Sequence, residues 1–125
     1  MLKVFVDHLA TALSLTLGST LHYGYMPPGE PALASAILER VATEPDPYNK
    51  AVRVRRYQIY TRGPSYVAAE AECRRIFEYA IQRIGLSLTG WYIYHITGSE
   101  PASIGLDERG RFAFSANLSV TAKKA

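Results

Sequence analysis

At 125 residues the chain has the size of one domain, long enough to bury about two-thirds of its unfolded surface around a single core. Its composition, 48% hydrophobic and 20% charged, is ordinary for a globular protein, and 14 basic against 11 acidic residues leave a net charge of only +3, too small a bias to argue for nucleic acid. One cysteine excludes an internal disulfide, and three scattered histidines have no metal-ligand spacing.

In chain order, Phe5, Leu9, Ala12, Leu13, Thr16 and Leu17 recur at helical spacing, and Gly18 is placed to stop that first helix. Asp7 and His8 interrupt the apolar run, so neither a leader peptide nor a membrane span is expected, and the chain is read as made in the cytoplasm. The proline-rich loop "YMPPGEP" follows. Residues 33–43 are open between two readings: alanine, leucine and glutamate favour helix, while Leu33, Ser35, Ile37, Glu39 and Val41 share one side of a strand. The β-branched and aromatic run Ala51 to Thr61 predicts a strand whose apolar parity changes between Val54 and Tyr57, as a bulge or burial of a different face at each end would produce.

Pro64 and Ser65 then start the clearest helix, with Ala69, Cys73, Ile76, Phe77, Ala80 and Ile84 as its buried stripe, Glu70 and Arg74 paired at i,i+4, and Gly85 at its C-cap. Cys73 falls within the stripe and reads as a buried structural thiol. An aromatic strand from Leu88 to Thr97 follows. The last segment, "GLDERGRFAFSANLSV", alternates strictly from Phe112 to Val120, behind a turn with Asp107 at its first position and Gly110 at its fourth. If residues 33–43 form a strand, it pairs with Val52 to Thr61 as a long hairpin. The fold class expected is α+β in a single domain over 1–125: two helices packed on one face of a mostly antiparallel, twisted sheet of about four to five strands.

No nucleophile elbow, glycine-rich phosphate loop or paired carboxylates are present, so no enzymatic activity, catalytic residue, metal or cofactor is expected. His95, between Tyr94 and Ile96, reads as a hydrogen-bonded or partly buried histidine. Tyr57, Tyr60, Tyr92 and Tyr94 fit either sheet packing or the lining of a small-ligand pocket.

The closing "IGLDERGRFAFSANLSV", preceded by "GSEPAS", together with "YGYMPPGEP" and the arginine-rich strand running into "PSYVAAEAECRRIFEYAI", resembles the tail-terminator or minor-capsid proteins of long-tailed bacteriophages. The match covers Arg53 and Arg55 in the basic strand and Asp107, Gly110, Arg111, Phe112 and Asn117 in the last hairpin. The alanine-rich "PALASAILERVA" departs from the family's usual strand. The resemblance implies a virion tail or neck protein, assembled in the host cytoplasm as a ring of self-associating subunits, six in the usual case. Such a ring caps the tail tube, stops its polymerisation and meets the head-completion or connector protein, without a membrane or a specific nucleic acid as partner. Each subunit then presents two different faces to its neighbours. The candidate interface residues are Arg53, Arg55, Arg56, Arg62, Asp107, Arg109 and Arg111, with Asp107 and Gly110 also shaping the turn. The two proline loops, "YMPPGEP" and "TEPDPYNK", are expected to order against a partner. Other readings are a head-closing stopper or adaptor of the neck, or a small-ligand-binding α+β domain.

Overall fold

A computed structural model describes residues 1–29, 31–45 and 48–125, and for 41–45 the backbone alone. The elements are α1 (Leu2–Leu13), β1 (Leu21–Tyr23), β2 (Ala34–Pro45), β3 (Val52–Gly63), α2 (Tyr66–Ile81), β4 (Ile84–Leu88), β5 (Trp91–Leu106) and β6 (Phe112–Lys124). The strands form one six-stranded sheet in the order β1-β2-β3-β6-β5-β4. Every neighbouring pair is antiparallel except β1 with β2, which is parallel. The α+β class stands, but the sheet is mixed and has more than the four to five strands expected. The two strands missed are its short edges, which are too brief to show a period.

Residues 34–45 form a strand and make the long hairpin with β3. Helix propensity loses here because both faces of the strand are covered where it begins, from Ala34 to Ile37. Ser35 and Ile37 face the helices, Ala34 and Ala36 lie on the outer face beside Arg62 and Tyr60, and all four are buried. The parity change expected in β3 is burial of a different face at each end, since Val52 is buried on the outer side and Tyr57 and Ile59 on the helix-facing side. β3 pairs with β6 without a break from Val52↔Lys123 to Gly63↔Phe112, whereas β2 inserts an extra residue between Glu39 and Val41 and again between Val41 and Glu44. On the helix-facing side, Tyr57 and Ile59 of β3, Phe114 to Ala122 of β6 at alternate positions, and Ile93 and Ile96 of β5 make the core.

α1 buries Phe5, Val6 and Leu9, and the Phe5 ring stacks on Tyr57 with centroids 5.7 Å apart. It ends earlier than the apolar spacing suggests. Ser14 turns left-handed at φ 55°, and the Leu15 amide closes back on the Ala10 carbonyl at 2.9 Å, so Thr16 and Leu17 lie outside the helix and Gly18 serves a later turn. α2 starts as expected, with the Ser65 hydroxyl accepting from the Ala68 amide at 3.1 Å. Its stripe of Ala69, Cys73, Ile76, Phe77 and Ala80 is buried, and burial pushes the Cys73 thiol up to about 11. The helix stops at Ile81, however. Ile84 is exposed and Gly85 belongs to β4, because residues 84–88 pair with β5 across the Thr89–Gly90 turn. β5 continues past Thr97 to Leu106, since β6 offers pairing along its whole length, and a register shift between Ser99 and Ala102 accommodates Pro101. A further shift between Ile93 and His95 leaves His95 exposed, not partly buried as expected.

Both helices lie on the Tyr57 side of the sheet, joined by a polar contact: His8 Nε2 sits 2.6 Å from the Tyr79 hydroxyl, and Arg83 stacks over the Tyr79 ring at 4.1 Å. Burial, seconded by Arg83, lowers the His8 pKa below its usual 6.5. The fold favours the neutral ring, so the unfolded chain takes up a proton first. The stabilisation is therefore present above the unfolded pKa and is lost as the pH falls through the lower folded one. The thermal midpoint is expected to fall between about pH 7.5 and pH 5.5, and to fall less in His8→Gln. An equal loss in the variant would remove this role from His8.

Candidate assembly surface

The turn between β5 and β6 is built as its residues dictate. The Asp107 carbonyl accepts from the Gly110 amide at 3.0 Å, and Gly110 takes φ +74° as β6 begins. Asp107 Oδ1 accepts from the amides of Arg109 at 2.9 Å and Arg111 at 2.8 Å, while Oδ2 accepts from Arg111 Nε at 2.7 Å. Burial opposes ionisation of Asp107, but these amides and the guanidinium outweigh it and hold the carboxyl below its ordinary value.

Arg111 therefore points inward, and its Nη1 donates to the Gly29 carbonyl at 2.6 Å. Arg62, on the sheet face away from the helices and only 3% exposed, donates to the carbonyls of Pro27, Gly29 at 3.1 Å and Pro31 at 3.3 Å. Two residues assigned from sequence to an interface thus fasten the first proline loop across the outer face of the sheet. The signal for this lies in the loop itself. Pro27, Pro28 and Pro31 have no amide hydrogen, so the segment holds more acceptors than donors and calls for N–H groups from elsewhere. Arginine supplies several in one plane.

Between the clamped loop and the β5–β6 turn lies a hollow of about 570 Å³, floored by Leu38 and Tyr60 and rimmed by Met26, Asp107 and Arg109. Tyr60 is the one residue of the tyrosine set that lines it. Tyr57 is core, and Tyr92 packs edge-on against Tyr94 with centroids 5.1 Å apart. Arg109 is exposed on the rim.

The other arginines lie at the opposite end of β3. Arg53 and Arg55 share the helix-facing side with Tyr57, and Arg56 shares the outer side with Arg62, so the structure does not bring all seven residues into one site. Arg55 lies 4.9 Å over the Trp91 ring and 3.3 Å from Glu39 Oε1. Arg53 Nη1 donates to the Val52 carbonyl at 3.2 Å. The expected Glu70–Arg74 pair is present at 3.0 Å and extends to Glu100 at 3.3 Å, a solvated network of small energetic weight. Of the second proline loop expected over 43–50, residues 43–45 instead end β2, and residues 46 and 47 lie outside the described residues, as does Glu30 of the first loop. Among the described residues no group of His, Cys, Asp and Glu could hold a metal ion, and no helix is long and apolar enough to cross a membrane.

The fold is similar to that of a chain from a structure titled "Virion of native gene transfer agent (GTA) particle", with a TM-score of 0.66 and 14% identity, covering 92% of this chain and 84% of that one. No curated protein sequence matches the chain. The family model described as "Bacteriophage tail terminator protein" matches residues 8–124, which takes in the clamped loop, the whole of α2 and the β5–β6 turn. By that match the chain belongs to the bacteriophage tail terminator protein family, a family of structural proteins of the phage virion's tail and neck.

Proposed function

We propose that this chain is the subunit of a closed ring, of six copies in the family's usual arrangement, that caps the growing tail tube, ends its polymerisation and offers its other annular face to the head-completion or connector protein. Family membership over residues 8–124 is the observation that carries the reading. A fold with no symmetry between its two ends supports it, because a ring built head-to-tail needs two different faces on each subunit. Among the residues singled out from sequence, Arg53 and Arg109 are the ones we assign to contacts with carboxylates of neighbouring subunits or of the tube. Arg62, Asp107 and Arg111 act indirectly, by fixing the loop and the turn that border the hollow.

Mixing the purified protein with polymerising tail-tube subunits is expected to shorten the tubes in proportion to the protein added, as read by electron microscopy. Tubes of unchanged length at stoichiometric excess would sink the capping role. Binding to the portal side of the neck in their place would establish the stopper or adaptor reading.

A further inference from the structure

The sheet ends in two steps, not two straight edges. On one side β4 covers β5 only between Trp91 and His95. From Thr97 to Leu106, among the described residues, β5 pairs on its β6 side alone, and the stretch is exposed apart from the half-buried Pro101. On the other side β1 covers β2 only at Ser35, Ala36 and Ile37, and the Gly24 amide completes that cover with a 3.0 Å bond to the Ile37 carbonyl. Beyond it, from Leu38 to Pro45, the backbone of β2 pairs with β3 alone among the described residues.

The register places the two open stretches at diagonal corners. Leu106 lies across from Phe112, which lies across from Gly63, at the end of the sheet where β2 begins; Pro45 lies across from Arg53 at the other end. The stretches span about 33 Å and about 26 Å at ~3.3 Å per residue. β5 runs antiparallel to β2, because β2 and β6 both run opposite to β3 and β5 runs opposite to β6.

We propose that a second copy of this chain docks its open β2 edge, Leu38 to Pro45, antiparallel onto the open β5 edge, Thr97 to Leu106, continuing the sheet from one subunit into the next. A slide of about half a strand length brings the open stretches side by side. In that position β4 of the first copy and β1 of the second lie at opposite ends and clear each other, so the steps interlock. An edge strand turns about every second N–H and C=O outward, and these groups supply the ladder. Ile104 and Leu106, 50% and 61% exposed, then come nearest Leu38 of the second copy. Each open stretch carries two register shifts, between Ser99/Ala102 and Ser103/Gly105 in β5 and between Glu39/Val41 and Val41/Glu44 in β2. Such bulges disfavour a long straight intruder, so the edges are selective, not indiscriminately adhesive. The two edges differ, so the contact repeats head-to-tail. Closure into a ring rests on the function proposed above; the strand pairing does not.

Single prolines at Thr97, Ser99, Glu100, Ala102 and Ser103 test the pairing, read by native mass spectrometry and thermal unfolding. Where the amide faces outward, the substitution is expected to weaken self-association about tenfold or more with the thermal midpoint kept; where it faces β6, the midpoint falls. Hydrogen exchange on the assembled wild type is expected to show new protection in 38–45 and 97–106. No position that separates assembly from stability, protection confined to other segments, or a wild type that stays monomeric both alone and on tube ends would each overturn the proposal. A wild type that pairs through these edges yet leaves tube lengths unchanged supports the pairing and removes the capping role.

Discussion

Replacing Gly98 with alanine is expected to destabilise the fold by about 3 kcal/mol and to lower its thermal midpoint by about 10 °C or more. The position is exposed and sits in a polar stretch, so a sequence-based expectation would be a neutral change. In the structure β5 passes so close to β6 that a Cβ at Gly98 would run into the carbonyl of Asn117, and it would lie 3.2 Å from Cε1 of Phe77 in α2. A backbone carbonyl held in a ladder cannot swing aside as a flexible side chain does, so β5 must separate from β6 or from the helix. Ser99→Ala, at the exposed neighbour, is the control and should stay within about 0.5 kcal/mol of wild type. A Gly98→Ala protein as stable as that control would mean that β5 lies farther from β6 than described.

Arg62→Ala is expected to cost about 3 kcal/mol and to release the proline loop from the sheet. The guanidinium is nearly fully buried and serves the carbonyls of Pro27, Gly29 and Pro31. Its removal takes donors from a segment whose prolines provide none, and it uncovers the outer faces of Ala34, Ala36 and Ala113, now at most 1% exposed. Arg62→Lys should recover little, because a single ammonium cannot span three acceptors that a planar fork reaches. The measurement is limited proteolysis of residues 24–33 alongside thermal unfolding. A loop that remains resistant in Arg62→Ala would show that Arg111, through its bond to Gly29, suffices to hold it. Charge reversal at Arg111 would break its pair with Asp107 as well as that bond, so it perturbs the fold and any interface together.

Much of the fold was legible from residue pattern. The stripe of α2, its Ser65 cap, the Glu70–Arg74 pair, the alternation of β6 and the turn from Asp107 to Gly110 are all set by neighbours within a few residues, and local chemistry suffices to read them. Residues 33–43 were not legible, because a run of alanine, leucine and glutamate meets the needs of a helix and of a strand whose first residues are covered on both faces. Gly85 and Ile84 were misread for a related reason. A glycine after an apolar helical stripe has the signature of a cap, and only pairing with β5 makes it part of an edge strand. The candidate site divides the same way. Asp107 and Gly110 did what a turn requires of them, whereas Arg62 and Arg111 met a loop more than thirty residues distant in the chain.

By itself the sequence determined the α+β class, the second helix and the last hairpin, since each rests on spacing that the chain carries locally, and it carried the resemblance that the family match bears out. Tertiary structure alone decided that residues 34–45 are a strand, that β3 is regular while its partner is bulged, that two of the arginines face inward, and that the sheet ends in two opposed steps. The physical reason is that backbone hydrogen-bond partners and buried cations are satisfied by whatever comes near in space, and nearness in space is settled only when all the elements have packed.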